Sequence, residues 1–237
     1  MKSPDPRESV EYGLAFSGEM VRAILAGSKT VTRRLVKLPT GLARLGGDLD
    51  RAWPGKIMGV TPGLRVPCQD GTIQRLRNPW GFPHAVPTRL WVREAWNAER
   101  RYDDRRPSEL PANAAIWYAA DNWIPPGAGK IGRYRHARFM PRRASRLLRE
   151  IVDVRAERLQ DITEAEAIAE GAIWTDWGVY PYGDKLPGWS MGAATSHKDC
   201  LHTARSAFAN LWTRLYGVES WDASPWVWRV EFRRVEP

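Results

Sequence analysis

Gly27-Ser28-Lys29-Thr30-Val31-Thr32-Arg33-Arg34 is the stretch on which the reading of this 237-residue chain turns. Gly27 stops any helix that precedes it, and Thr30, Val31 and Thr32 are β-branched. An extended segment is expected to begin there, with Thr32 and Arg34 on the same face. Just upstream, Tyr12, Leu14 and Phe16 alternate with Gly13, Ala15 and Ser17, the pattern of a short strand with one apolar face. Ser17 is placed to cap a helix over residues 18–26, with Met20, Ala23, Ile24 and Leu25 as its buried stripe. The local unit is strand, short helix, strand, with a basic, hydroxyl-bearing turn at the second junction.

Working outward, residues 38–87 are punctuated by Pro39, Gly41, Gly46, Gly47, Pro54, Gly55, Pro62, Gly63, Pro67, Pro79, Gly81, Pro83 and Pro87, which predicts a long insertion loop. Leu90-Trp91-Val92 and Ala115-Ile116-Trp117-Tyr118 read as strands, with a solvated polar run over residues 99–106 between them. Leu147, Leu148, Ile151, Val152 and Val154 predict a buried strand, and helix is the competing reading. Thr163 and Glu166 fit a capping box, so a short helix is expected to end at Gly171. Residues 172–197, with Trp174, Trp177, Tyr180, Tyr182 and Trp189 among Gly and Pro, read as a second long loop. A helix is expected over residues 198–216, on the spacing of Leu201, Ala204, Phe208, Leu211 and Leu215, with Gly217 as terminator. Residues 226–235 close the chain as a strand. These elements predict one α+β domain over residues 1–237, or a small, mostly antiparallel barrel with helices attached.

Composition narrows the partners. The net charge of +9, from 36 Lys and Arg against 27 Asp and Glu, favours polyanions or phosphorylated ligands, so contact with RNA or DNA stands open on charge alone. The 13 Trp and 18 Pro predict a compact core wrapped by Trp-anchored loops. Two cysteines, Cys68 and Cys200, exclude a disulfide framework and fit a reducing compartment. His84, His136, His197 and His202 lack ligand spacing, so no metal is expected. The polar N-terminal residues and the absence of any run near ~20 apolar residues exclude a membrane protein and predict a cytoplasmic one.

The chemistry-bearing residues have a bland reading and a sharp one. Lys29 and Thr32 sit three apart after a helix end, where an amine desolvated beside Arg33 and Arg34 would lose its proton readily and activate the Thr32 hydroxyl. The commoner reading of Lys-x-x-Thr is a solvated lysine and a turn threonine. Glu170 ends the capped helix, where the dipole disfavours its ionisation and suits it to acid–base work; an ordinary exposed helix glutamate is the commoner case. Trp91 and Glu94 could offer a stacking surface and a carboxylate to a flat base, against barrel-rim packing and a surface ion pair. Arg142, Arg143, Arg146, Arg149 and Arg155 could track a phosphate backbone, although a solvated face is the simpler account.

Gly27-x-Lys29-x-x-Thr32-x-Arg34 resembles the signature of the ASCH family of PUA-like β-barrel proteins, in which this motif follows the first strand and helix. The resemblance extends to Leu90-Trp91-Val92-Arg93-Glu94, to Ile162-Thr163-Glu164 through Glu170, and to Trp221-Asp222-Ala223-Ser224-Pro225-Trp226-Val227-Trp228, runs similar to those of larger phage and prophage members. It implies a small barrel with flanking helices and two loop insertions, at about residues 38–87 and 172–197. Small bacterial members hydrolyse N4-acetylcytidine with a Lys, a Thr and a Glu, roles that the resemblance carries to Lys29, Thr32 and Glu170. The implied activity is a metal-independent, cofactor-free amidohydrolase that removes acyl groups from the N4 amine of a small-molecule cytidine derivative. Either Thr32 or a water activated by Glu170 is then the nucleophile, and Arg34 stabilises the oxyanion or Glu170. The alternative is a PUA-like module, or a ribonuclease, that recognises a nucleotide of RNA or DNA in the same cleft.

Overall fold

The structure is a computed structural model that describes residues 9–57, 61–80, 88–122, 130–176, 179–180, 183–184, 187–192 and 200–235. Its first elements are β1 (Val10–Ala15), α1 (Gly18–Ala26) and β2 (Val31–Leu35). Ser17 caps α1 by accepting the Met20 N–H, and Gly27 ends it in the left-handed region at φ 79°. The buried stripe is Met20, Val21, Ala23 and Ile24. Leu25, expected inside, is 47% exposed: one residue beyond Ile24 is a further ~100° around the helix, and Val21 takes the place assigned to it.

After β2 come α2 (Thr40–Arg44), β3 (Trp53–Ile57), β4 (Thr61–Pro67) and β5 (Ile73–Arg77), the last three forming an antiparallel sheet in the order β3-β4-β5. The described part of residues 38–87 is therefore not the predicted structureless loop; residues 58–60 and 81–87 lie outside the described residues. Leu64 and Val66 are fully buried with half-exposed Arg65 between them, a period-2 signal that the prolines masked. Pro54 sits on the edge strand β3 and Pro67 ends β4, positions where a missing N–H costs little.

The chain continues through β6 (Thr88–Arg93), β7 (Trp96–Glu99), β8 (Ile116–Tyr118), β9 (Ile131–Arg135), β10 (Leu148–Arg158) and α3 (Glu164–Ala169). There follow β11 (Ala172–Thr175), β12 (Val179–Tyr180), β13 (Gly183–Asp184), β14 (Gly188–Met191), α4 (Ala204–Tyr216), α5 (Glu219–Asp222) and β15 (Trp226–Arg234). The largest sheet has the order β1-β6-β10-β15-β2, with β1 parallel to β6 and the other pairs antiparallel. The fold is mixed α+β with several sheets, and among the described residues no sheet closes into a barrel. Instead of a ladder, a side chain reaches from one edge strand to the other: Arg34 Nη2 on β2 donates to the carbonyl of Ala15, the last residue of β1, at 2.7 Å. No helix among the described residues is long and apolar enough to cross a membrane.

Within that sheet β10 resolves the choice between strand and helix. Ile151 pairs with Phe232 and Asp153 with Glu231, so Val152 is an extra residue in a β-bulge. The bulge brings Leu147, Ile151 and Val154 into one core although their spacing of four and three is helical. That core joins Leu90 and Val92 of β6, Val230 and Phe232 of β15, Leu64 and Val66 of β4, and Val21 and Ile24 of α1. Val227, on the other face of β15, meets Phe208 and Trp212 of α4 and Ala167 of α3. A third cluster, with Trp91, Trp96, Ala98 and Met140, holds the lobe built on the sheet β8-β7-β9.

The second predicted loop is also partly sheet. β11 pairs with β14, and Trp174 packs edge-on against its cross-strand partner Trp189 at 5.5 Å. Residues 177–178, 181–182, 185–186 and 193–199 lie outside the described residues. α4 starts at Ala204 behind the N-cap Thr203, later than expected, because Leu201 is tied to Trp189 by a pair of 2.8 Å main-chain bonds. Its buried face is Ala204, Ala207, Phe208 and Trp212, whereas Leu215 is 66% exposed.

Candidate active site

The turn of residues 27–30 is fixed where the C-terminal ends of α1 and α3 meet. Lys29 N–H donates to Ala23 O at 3.1 Å, and Thr30 N–H donates to Ala169 O at 2.9 Å. Gly171 adopts φ +102° there, and a Cβ on it would lie 3.3 Å from the Ala23 Cβ and 3.5 Å from the Lys29 Cβ. Only glycine takes both that conformation and that spacing without strain.

This clamp buries Lys29 to 3% exposure beside Glu170. Its Nζ donates to Val31 O at 2.8 Å, Glu170 O at 2.7 Å and Glu170 Oε2 at 2.6 Å. An ammonium has three N–H donors, and here each has an acceptor. Burial pushes the Lys29 pKa down, the Glu170 carboxylate pushes back, and Arg34 and Arg33 lower it by lesser amounts. The expected depression is therefore present and both expected causes act, desolvation being the larger and the neighbouring arginines the smaller.

Glu170 meets a second cation. Arg33 Nη1 donates to its Oε1 at 3.3 Å, while Arg33 Nε and Nη2 donate to Glu157 Oε1 and Glu166 Oε2, both at 2.8 Å. The Arg33 side chain is wholly buried. Glu166 also accepts from Arg155 at 2.7 Å and Arg229 at 2.9 Å. Burial works to raise the Glu166 pKa, but the Thr163 N–H and the three arginines outweigh it and hold the carboxyl below its ordinary value. Instead of a bare helix dipole, Glu170 has a lysine and an arginine against it.

Lys29, Thr32, Arg33, Arg34 and Glu170 all line one cavity of about 370 Å³, walled on the other side by Phe208, Leu211, Trp212, Leu215 and Tyr216 of α4. That volume is in the range of small-molecule sites, roughly 300–1,000 Å³. Thr32 is 4% exposed, and among the described residues its hydroxyl has no hydrogen-bond partner. The direct Lys29–Thr32 contact envisaged from the spacing is not formed, because the three Lys29 donors point to Val31 and Glu170. Arg34, on the expected face with Thr32, lies 5.0 Å over the Phe16 ring and keeps a buried Nε without a partner. Burial lowers its pKa, against the opposing effects of Glu170 and Tyr216.

Trp91 and Glu94 stand outside this cavity. Leu90 and Val92 turn into the main core, so Trp91 faces the opposite way and packs with Trp96 and Met140. Glu94 is fully buried and takes Arg146 Nε and Nη2 on its two oxygens, each at 3.0 Å. Burial raises its pKa while Arg146 opposes. The basic run keeps the solvated face expected of it, since Arg142, Arg143 and Arg155 are exposed, but most of its charges are paired within the protein. Arg142 pairs with Glu11, Arg146 with Glu94 and Asp121, and Arg155 with Glu157 and Glu166, while Arg149 donates to Leu148 O and Ile24 O.

Sequence reasoning assigned no site role to Arg33, Glu157, Glu166 or the α4 aromatics. Phe208, Trp212 and Tyr216 recur every four residues, a signal that marks one helix face and was available. Glu157 and Glu166 carry no local signal, since what ties them to the cavity wall is Arg33 arriving from a strand 124 and 133 residues away. Among the described residues no group of three or more His, Cys, Asp and Glu is arranged to hold a metal ion. Comparison with protein-family models, with curated proteins and with solved structures finds no match to this chain.

Proposed function

We propose that the chain is an ASCH-type amidohydrolase of the PUA-like class that removes an acyl group from the N4 amine of a cytidine derivative. The observation that carries this reading is the buried 2.6 Å contact between Lys29 Nζ and Glu170 Oε2 in the wall of the cavity that Thr32 also lines. The sheet order, with α1 bridging β1 and β2, supports the finer barrel reading as a barrel left open at that edge.

These two groups share a buried 2.6 Å hydrogen bond, and the pair is the proton acceptor and donor of the reaction. Thr32 Oγ1 adds to the acyl carbonyl carbon and its proton passes to the pair. Collapse of the tetrahedral intermediate breaks the C–N bond, and the proton goes to the departing N4 amine. Water then adds to the Thr32 ester, freeing the carboxylic acid and restoring the hydroxyl. In the shorter variant, water adds directly and Thr32 only positions it. The unpartnered Arg34 Nε is the donor for the oxyanion. The aromatic face of α4 offers the pyrimidine a flat apolar wall.

The test is release of cytidine from N4-acetylcytidine by the purified chain, with and without chelator. Lys29→Ala, Thr32→Ala and Glu170→Ala are each expected to lose ~10²–10⁴-fold in kcat. Full activity in all three folded variants would end the assignment. Salt-dependent RNA or DNA binding in this cleft, with acetylcytidine untouched, would replace hydrolysis by recognition.

A further inference from the structure

A second cavity, of about 390 Å³, lies on the β7–β9 lobe; four arginines line it, Arg105, Arg106, Arg133 and Arg135, together with Tyr134, His136 and Phe139 and a single carboxylate, Asp104. Its guanidinium groups are not ringed by carboxylates as that of Arg33 in the first cavity is. Glu109 reaches Arg106 only at 3.9 Å, and Asp103 is engaged by the main-chain N–H of Arg133 at 2.7 Å.

Arg135 is the sharpest case. It is 5% exposed, its Nη1 and Nη2 donate to the carbonyls of Arg105 at 3.1 Å and Tyr102 at 2.7 Å, and its buried Nε has no partner. Its guanidinium lies 5.4 Å over the Trp96 ring, and among the described residues no carboxylate meets it. Burial, and then the charge of Arg133, push its pKa down, with Asp103 opposing. A buried cation without a counter-ion is costly, and an anion entering the cavity is what offsets that cost.

The same rim carries flat apolar groups in solvent. Tyr134 is 56% and Phe139 51% exposed, Tyr134 packs edge-on with His136 at 5.3 Å, and Arg138 lies 4.7 Å over the Phe139 ring. Guanidinium groups interleaved with exposed rings are the chemistry that holds a phosphate and stacks an unpaired base. An inorganic anion would use the arginines alone and leave the rings without a role.

We propose that this cavity is a second ligand site that takes a phosphorylated nucleotide unit, its phosphate held by Arg105, Arg106, Arg133 and Arg135 and its base stacked on Tyr134 or Phe139. The site is independent of the cleft at Lys29. The unit is supplied either by a free nucleotide or by a single-stranded nucleic acid.

Fluorescence anisotropy of a labelled single-stranded RNA on the intact chain at low salt tests the proposal, with cytidine monophosphate and inorganic phosphate as competitors. Arg133→Gln and Tyr134→Ala are exposed substitutions that leave the fold intact, which a thermal melt checks. Arg133→Gln is expected to reduce the salt slope of log K by about 0.7, and Tyr134→Ala to weaken binding by roughly 5- to 150-fold. Lys37→Gln, which removes the same charge beyond β2, is expected to change affinity less than about twofold. Displacement of the strand by the monophosphate at comparable concentration identifies a free nucleotide as the ligand, and binding of the strand alone identifies a polymer; both support the site. No binding of either ligand, equal displacement by inorganic phosphate, or equal losses in Lys37→Gln and Arg133→Gln would overturn it. Acetylcytidine hydrolysis by the same variants, expected to be unchanged, separates this outcome from any failure of the cleft reading.

Discussion

The two cavities use the same side chain to opposite ends. In the cleft at β2, Arg33 is surrounded by Glu157, Glu166 and Glu170, so its charge is cancelled within the protein and serves to hold a carboxylate in place. On the β7–β9 lobe, Arg135 is buried almost as deeply but binds only main-chain carbonyls, and its charge remains on offer. The difference teaches that counting arginines, as the net charge of +9 invites, says little about ligands. What matters is which arginines the fold has already neutralised.

The largest effect that would sharpen this contrast is Arg33→Met, which leaves three carboxylates without their common cation. A loss of about 3–5 kcal/mol is expected, read from the urea midpoint at constant m-value. Arg133→Met on the lobe is expected to move that midpoint hardly at all. If the two variants melt alike, the distinction between neutralised and unneutralised arginines fails. Next comes Gly171→Ala, which forces a side chain into the left-handed region against Ala23 and Lys29. About 1–3 kcal/mol is expected, together with a fall in acetylcytidine turnover because Lys29 is displaced, while RNA binding at the lobe stays as it was.

The contrast also has a pH signature. Glu166 has its folded-state pKa held below 4.5, so its contribution to stability is in place above that pH and is lost as the pH falls through the lower folded value. A plot of Tm against pH is therefore expected to descend below pH 4.5, and Glu166→Gln to descend less steeply from a lower plateau. Arg133→Gln is expected to follow the slope of the unmodified chain. The smallest effect belongs to the aromatic pair outside both cavities: Trp174→Ala removes an edge-on contact from a half-exposed hairpin and should cost about 0.5–1.5 kcal/mol beyond the area lost. A larger loss would mean that this hairpin supports one of the cavities.

The sequence was legible where one local rule acts alone. Ser17, Gly27, the Thr163–Glu166 box and the alternation through Phe16 all specify their elements without help from distant residues, and each element formed near its expected place. It was illegible where two rules conflict. Prolines at strand ends hid the alternation of Leu64 and Val66, and the bulge at Val152 gave a strand the spacing of a helix. Lys29, Thr32 and Glu170 share a cavity as their resemblance to a known motif implied, yet how they touch could not be foreseen. Three acceptors around one nitrogen come from a β-strand carbonyl and a helix end brought together only by tertiary packing. Trp91 failed to join them because a strand shows its alternate residues to opposite sides, and Glu94, just past the end of β6, is held instead by Arg146.

The ladder between β2 and β15 gives the cleft a date of birth. Thr32 waits for Val230 to hydrogen-bond its strand, and Lys29 waits for a glutamate 141 residues later. Synthesis at ~5–20 residues per second puts a delay of many seconds between the emergence of the motif and that of its partners. During that interval a newborn chain holds Thr32 but not the strand that pairs with its own, so the cavity is completed only when β15 joins the sheet.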